Sequence, residues 1–251
     1  MNFIDKILFY ISVPKCIFCN ERLEIGERAL CAKCAKIYLD HKERACSVCS
    51  KPYYKCDCSS AYLDSHFIHK HIKVFRYMPG DETPANQLIY KLKRENRRDV
   101  VGYIADELTE SIRESLKVDE NTIFTCVPRR RRARIKYGID HAQNLGRAVA
   151  KNFGADFQML LRSKSKNAQK KSKSREERLK NAQFVLLNED LDLSGKTVVI
   201  IDDIVTTGAS LGAAALNVKS LAPKKIIGAS IAIAYKDAYT PLSASDKFKN
   251  K

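Results

Sequence analysis

Two successive carboxylates, Asp202 and Asp203, follow the apolar run Val198-Val199-Ile200-Ile201 and precede Ile204-Val205-Thr206-Thr207-Gly208-Ala209-Ser210. Four β-prone apolar residues predict a buried central strand, with the carboxylates emerging at its C-terminal end and a small polar loop opening the next helix. Ligands of open parallel sheets bind at that end. The first turn of a helix offers unpaired N–H groups and a positive dipole, so Thr206, Thr207, Gly208, Ala209 and Ser210 could cradle a phosphate. Gly208 also lets the backbone approach a ligand closely. A phosphate beside two carboxylates makes sense for a sugar phosphate, where Asp side chains accept hydrogen bonds from sugar hydroxyls while the loop holds the phosphate. The bland reading is an ordinary strand with an acidic helix cap, which needs only one such residue.

The second chemical signal is cysteine. Eight of nine cysteines lie between Cys16 and Cys58, and Cys126 stands alone in the rest. Cys16-x2-Cys19 and Cys31-x2-Cys34 are eleven residues apart, and Cys46-x2-Cys49 is followed after six residues by Cys56-x-Cys58. Such knuckles supply the thiolates that tetrahedral Zn²⁺ takes, four to a site. Sequential grouping closes short local loops, and an interleaved cross-brace costs longer ones. Four protein ligands leave no open position, so two structural Zn²⁺ sites are expected rather than catalytic ones. The apolar run Ile7 to Val13 is too short to cross a bilayer and no small-residue cleavage site follows it, so a cytoplasmic location without membrane insertion is expected. Reduced thiols there favour metal over disulfides. His66, His69 and His71 could bind metal too, but with both sites complete they read as solvated side chains entering a strand.

The formal charge is +16, which two Zn²⁺ ions on eight thiolates would lower by 4, so the protein stays basic and suited to polyanionic partners. Arginines cluster at Arg129, Arg130 and Arg131, and the stretch from Arg162 to Lys180 carries nine basic and two acidic residues with little apolar content. Composition of that kind predicts mobility, and a closing loop over an anionic ligand is its functional version. Cys126, at a strand end before Pro128, reads as a buried apolar residue.

The elements that must position these groups alternate. Strands are predicted at Ile72 to Tyr77, Thr122 to Val127, Phe184 to Leu187, Thr197 to Ile201 and Lys225 to Ala234. Helices are predicted at Ala85 to Arg94, Asp99 to Leu116, Asp140 to Asn152 and Ala209 to Ser220. Alternation argues for an α/β fold, a parallel sheet with helices on both faces. A small cysteine-rich, zinc-ribbon-like domain at residues 1–65 precedes an α/β domain at 66–251.

The strand, acid pair and threonine-glycine loop resemble the fingerprint of the type I phosphoribosyltransferases. That resemblance implies that Asp202 and Asp203 hold the 2- and 3-hydroxyls of phosphoribosyl pyrophosphate, as the catalytic pair, with Thr206 to Ser210 on its 5-phosphate. Two further stretches are similar to the ComF family of competence-associated proteins, which join a zinc module to this fold. Val127-Pro128-Arg129 through Arg134 with Tyr137-Gly138-Ile139-Asp140-His141-Ala142 lies where the family has its pyrophosphate loop, Asp140 and His141 departing from the pattern. Gln169 and Ser174-Arg175-Glu176-Glu177-Arg178 resemble its flexible loop. The implied function is pentosyl transfer from phosphoribosyl pyrophosphate with Mg²⁺, linked to DNA uptake in natural transformation, with uptake helicase or recombination proteins as partners. A non-catalytic single-stranded DNA-binding protein is the alternative, with the basic loops tracking phosphates and Tyr53, Tyr54 and Phe67 offering stacking faces. Salt dependence and tolerance of changes at the aspartates would separate the two.

Overall fold

The computed structural model describes residues 14–95, 97–129, 140–164 and 184–234. Helix α1 (Ala32–Lys42) follows the first cysteine pairs, and a 3-10 turn (Tyr53–Lys55) and the short α2 (Ala61–Asp64) accompany the second. Then come β1 (Lys70–Arg76), α3 (Pro84–Arg94), α4 (Arg98–Ser115), β2 (Thr122–Cys126) and α5 (His141–Phe153). They are followed by β3 (Asp156–Phe157), β4 (Leu161–Ser163), β5 (Phe184–Leu186), β6 (Thr197–Val205), α6 (Ala209–Lys219) and β7 (Lys225–Ile233).

The main sheet runs β1-β7-β6-β2-β3 with every pair parallel. β6 is its central strand, and Val198 to Ile201 are wholly buried because helices cover both faces. Alternation along the strand sorts the core: Val199 and Ile201 join Leu108 and Leu145, whereas Val198 and Ile200 join Leu63, Leu211 and Ala215. Local chemistry sets the helix ends. Thr83 caps α3 by accepting from the Asn86 N–H, with Pro84 in the first turn, and Asp140 caps α5 by accepting from the Gln143 N–H.

The cysteine-rich segment shares both cores. Cys16, Ile17, Leu30 and Tyr38 belong to the cluster built on α4 and α5, and Cys46, Tyr53 and Cys56 to the one built on α6. Tyr38 donates to Glu107 Oε2 at 2.9 Å, and Lys42 Nζ meets the same oxygen at 2.7 Å, fastening α1 to α4.

Several elements differ from expectation. Phe184–Leu186 pairs antiparallel with β4 in a separate two-stranded sheet, and its half-buried residues suit an edge rather than the doubly covered interior. β6 extends past Ile201 to Val205, because Ile204 and Val205 still pair with Ala232 and Ile233 of β7. α1 was not anticipated, since two of the four positions it buries, His41 and Lys42, are polar and leave only Cys34 and Tyr38 as an apolar signal. Among the described residues, no helix is long and apolar enough to cross a membrane.

Candidate functional site

β6 delivers Asp202 and Asp203 at its C-terminal end, in register with Ser230 and its neighbours on β7. The Asp203 N–H donates to Asp202 Oδ1 at 2.9 Å and the Ile204 N–H to Asp203 Oδ1 at 2.6 Å, so one oxygen of each carboxylate is fixed by the main chain. Asp203 Oδ2 faces Lys93 Nζ at 3.3 Å. Burial, and then the neighbouring Asp203 carboxylate, pushes the Asp202 carboxyl up to about 8. Two adjacent carboxyl groups in a half-buried position resist losing both protons, so the pair can hold one at neutral pH.

The strand then turns through Thr206 and Thr207 into α6. Gly208 stands at the N-cap with φ +81°, a left-handed conformation that a Cβ disfavours. Thr207 Oγ1 accepts from the Ala209 N–H at 3.3 Å. Thr206 and Ser210 are exposed at the mouth, while Gly208 and Ala209 are buried in the turn. All five loop residues follow the aspartates directly in the chain, in the turn from β6 into the amide-rich end of α6.

A second strand end completes one wall. The Val127 N–H donates to Ile201 O, carrying β2 alongside β6 as far as Val127, two residues before Arg129. The Arg129 N–H donates to Asp140 Oδ2 at 3.0 Å, and its Nη1 donates to His141 Nε2 at 2.8 Å. Burial and the Arg129 charge lower the His141 pKa, which keeps the imidazole neutral and able to accept. Asp140 and His141, which depart from the family pattern, thus hold Arg129 in place. Arg130, Arg131, Arg175 and Arg178 lie outside the described residues. Lys93 was missed by sequence reasoning: a lysine in the last turn of a helix is ordinary there, and only the tertiary fold carries it to Asp203.

Residues 141–249 match the phosphoribosyl transferase domain family model. The matched stretch contains β6, the acid pair and the loop. Among solved structures, adenine phosphoribosyltransferase from Thermoanaerobacter pseudethanolicus is 20% identical, with 62% of this chain and 72% of that one covered and a TM-score of 0.34. The adenine phosphoribosyltransferase of Saccharomyces cerevisiae is 18% identical over 69% of this chain and 88% of its own, at a TM-score of 0.35. The hypoxanthine phosphoribosyltransferase of Staphylococcus aureus is 11% identical over 56% and 68%, at 0.35. No curated protein matches the chain.

Away from this site the fold gathers the cysteines into two sets, Cys16, Cys19, Cys31 and Cys34, and Cys46, Cys49, Cys56 and Cys58, each with all sulfurs within 4.8 Å of one another. The grouping is the sequential one. Four converging thiols with no oxygen donor are a donor set for Zn²⁺ or another thiophilic ion, and leave no position for substrate. No histidine belongs to either set. His71 is not solvated as expected: it is wholly buried, with Nε2 at 2.9 Å from Ser230 Oγ, because the second cysteine set covers the outer face of β1. Beside it, buried Lys73 donates to Cys56 O at 2.8 Å and Cys58 O at 2.6 Å. Cys126 is buried against Met159, away from solvent. Of the three aromatic residues considered as stacking faces, Tyr53 is buried, Tyr54 donates to Glu43 with Lys42 and Lys55 over its ring, and Phe67 is exposed with Lys219 over it.

Proposed function

We propose that the chain binds phosphoribosyl pyrophosphate with Mg²⁺ and transfers its phosphoribosyl group to an acceptor, with residues 66–251 carrying the chemistry and residues 1–65 holding two structural Zn²⁺ ions. The observation that carries this reading is the pair of carboxylates at the C-terminal end of β6, followed directly by the turn that opens α6. Asp202 and Asp203 accept hydrogen bonds from the 2- and 3-hydroxyls, and Thr206 to Ser210 bind the 5-phosphate through main-chain N–H groups and hydroxyls. Arg129, held by Asp140 and His141, presents a guanidinium to the pyrophosphate, joined by Arg130, Arg131, Arg175 and Arg178 in the full site.

The reaction breaks the bond from the anomeric carbon to pyrophosphate and forms one from that carbon to the acceptor, which gives up a proton. Positive charge builds on the ribose as the leaving group departs, and the two carboxylates stabilise it electrostatically. Mg²⁺, held mainly by substrate oxygens, supplies neutralisation of the leaving pyrophosphate. No covalent nucleophile is required. The ComF resemblance extends the proposal to a cytoplasmic role in the handling of incoming DNA, in which single-stranded DNA, an uptake helicase or recombination proteins are partners.

The test is calorimetric titration of the metal-loaded protein with phosphoribosyl pyrophosphate and Mg²⁺, beside the Asp202→Asn/Asp203→Asn variant. Micromolar binding lost in the variant supports the reading, and Mg²⁺-dependent release of pyrophosphate with a base or DNA end identifies the acceptor. Absence of binding by the parent protein refutes it.

A further inference from the structure

The second cysteine set runs directly into the segment that packs on the phosphate-loop turn. Cys58 leads into Ser59, Ser60 and then α2, whose start Ser60 fixes by accepting from the Leu63 N–H at 3.3 Å. Leu63 is wholly buried in the same core cluster as Val205 and Leu211, the residues that flank the loop. The contact is close. A Cβ added to Gly208 would stand 2.9 Å from Leu63 Cδ2 and 3.3 Å from Tyr62 Cδ1, and one on Gly212 would stand 2.8 Å from Tyr62 Cε1. Gly208 and Gly212, one helical turn apart, thus form a groove into which the Tyr62 ring fits.

The ring is itself held. His66 stacks on it with centroids 4.0 Å apart and rings 27° from parallel, and His66 Nδ1 donates to Tyr62 O at 2.7 Å. Upstream, the carbonyls of Cys56 and Cys58 are pinned to β1 by Lys73. A continuous chain of contacts therefore runs from the four thiols through α2 to the residue that sets the turn at the start of α6. An ion held by all four sulfurs, which lie within 4.8 Å of one another, would tie Cys56 and Cys58 to Cys46 and Cys49.

We propose that Tyr62 is a positioning residue for the phosphate loop, Thr206 to Ser210, and that metal at Cys46, Cys49, Cys56 and Cys58 is what seats it. The inference rests on the proposed function, in that it takes this turn to be the phosphate-binding one. On this view the second metal site does not merely stabilise a remote appendage: its presence sets the conformation of the turn that receives the sugar phosphate. The first set has no such contact, because Cys16, Cys31 and Cys34 belong to the core on the other face of β6.

The experiment uses the full chain loaded with Zn²⁺, ribose 5-phosphate as the calorimetric probe of the loop, and amide hydrogen exchange over residues 206–212. Tyr62→Ala is expected to weaken ribose 5-phosphate binding about tenfold, within the usual range of coupling between sites, and to speed exchange in that segment while β2 and α5 keep their protection. Tyr62→Phe keeps the ring and is expected to restore both readouts. Cys49→Ser, which opens the second set only, is expected to reproduce Tyr62→Ala, whereas Cys19→Ser in the first set is expected to leave the loop unchanged. Should Tyr62→Ala lose protection everywhere, Tyr62→Leu carries the same comparison. Unchanged binding and exchange in the Tyr62 and Cys49 variants overturn the proposal. If the parent binds no ribose 5-phosphate, the reading of the turn as a phosphate loop falls, and the exchange comparison between parent and Cys49→Ser still decides whether metal seats the turn.

Discussion

Gly208→Ala measures how tightly the turn before α6 is built. The perturbation has two separable costs. Alanine at φ +81° occupies the left-handed region, at about 1 kcal/mol relative to glycine. Its methyl group then meets Leu63 at 2.9 and 3.1 Å, below ordinary contact, and relieving that overlap in a packed core costs about 1–3 kcal/mol. The sum is about 2–4 kcal/mol. Gly154→Ala isolates the first cost, because Gly154 ends α5 with φ +63° and its added methyl group would meet nothing within 4 Å. Gly212→Ala isolates the second, since it is helical and gains about 1 kcal/mol of helix propensity against its 2.8 Å approach to Tyr62. Its net cost is about 0–2 kcal/mol.

The assay is urea unfolding of the Zn²⁺-loaded protein at fixed metal concentration, with m-values compared to establish that the unfolded reference is shared. Gly208→Ala is expected to be the most destabilising of the three, with Gly154→Ala at about 1 kcal/mol and Gly212→Ala between about 0 and 2 kcal/mol. A Gly208→Ala variant no less stable than Gly154→Ala would refute the reasoning, because it would mean that Leu63 and Tyr62 do not press on the turn.

Metal analysis is expected to return two Zn²⁺ per chain, falling to one in Cys49→Ser, and a single ion in the parent would contradict the two four-thiol sets. Glu107→Ala leaves the buried Lys42 ammonium with Glu110 Oε2 at 3.5 Å and removes the acceptor of Tyr38, so unfolding free energy is expected to fall by about 2 kcal/mol; a loss under about 1 kcal/mol would show that the pair is solvated. On the proposed function the ionised Asp202 accepts the sugar hydroxyls; with its carboxyl pushed up to about 8, binding of phosphoribosyl pyrophosphate should strengthen from pH 6 to 8 by about fifty-fold at most, and calorimetry at the two pH values checks the sign. The same raised value means that the folded chain holds a proton the unfolded chain has released. Stability of the ligand-free protein should therefore fall as pH rises from about 4 to about 8, a trend thermal unfolding would detect.

The acid pair was legible because its strand lies in the centre of a parallel sheet, where burial on both faces writes an unbroken apolar run into the sequence. The cysteine sets were legible for a similar reason: their spacing is a local requirement of the ligand geometry. What depended on tertiary contact was not. Nothing around His71 or Lys73 marks them as buried, since the outer face of an edge strand is solvated unless something covers it, and what covers it is the second cysteine set. The tight seat of Tyr62 was hidden because glycines at a loop and in a helix are individually unremarkable, and only their spacing opposite α2 gives them meaning.

On the proposed function the site binds an anion beside two carboxylates, and the charges around it resolve that conflict. Asp140 is buried, yet both of its oxygens accept main-chain N–H groups, from Arg129 and Gln143, so it fixes geometry rather than repelling a ligand at the mouth. His141 is held neutral by burial and so adds no charge, while accepting from the Arg129 guanidinium and setting its direction. Asp202 retains a proton near neutrality, and Asp203 is faced by Lys93. The negative charge that would oppose a phosphate is thus covered one group at a time by a main-chain donor, a proton or a lysine. An arriving Mg²⁺-bound sugar phosphate would replace the Asp202 proton by ribose hydroxyls and free Lys93 for a phosphate oxygen, an exchange of partners that costs little because each group is already in place.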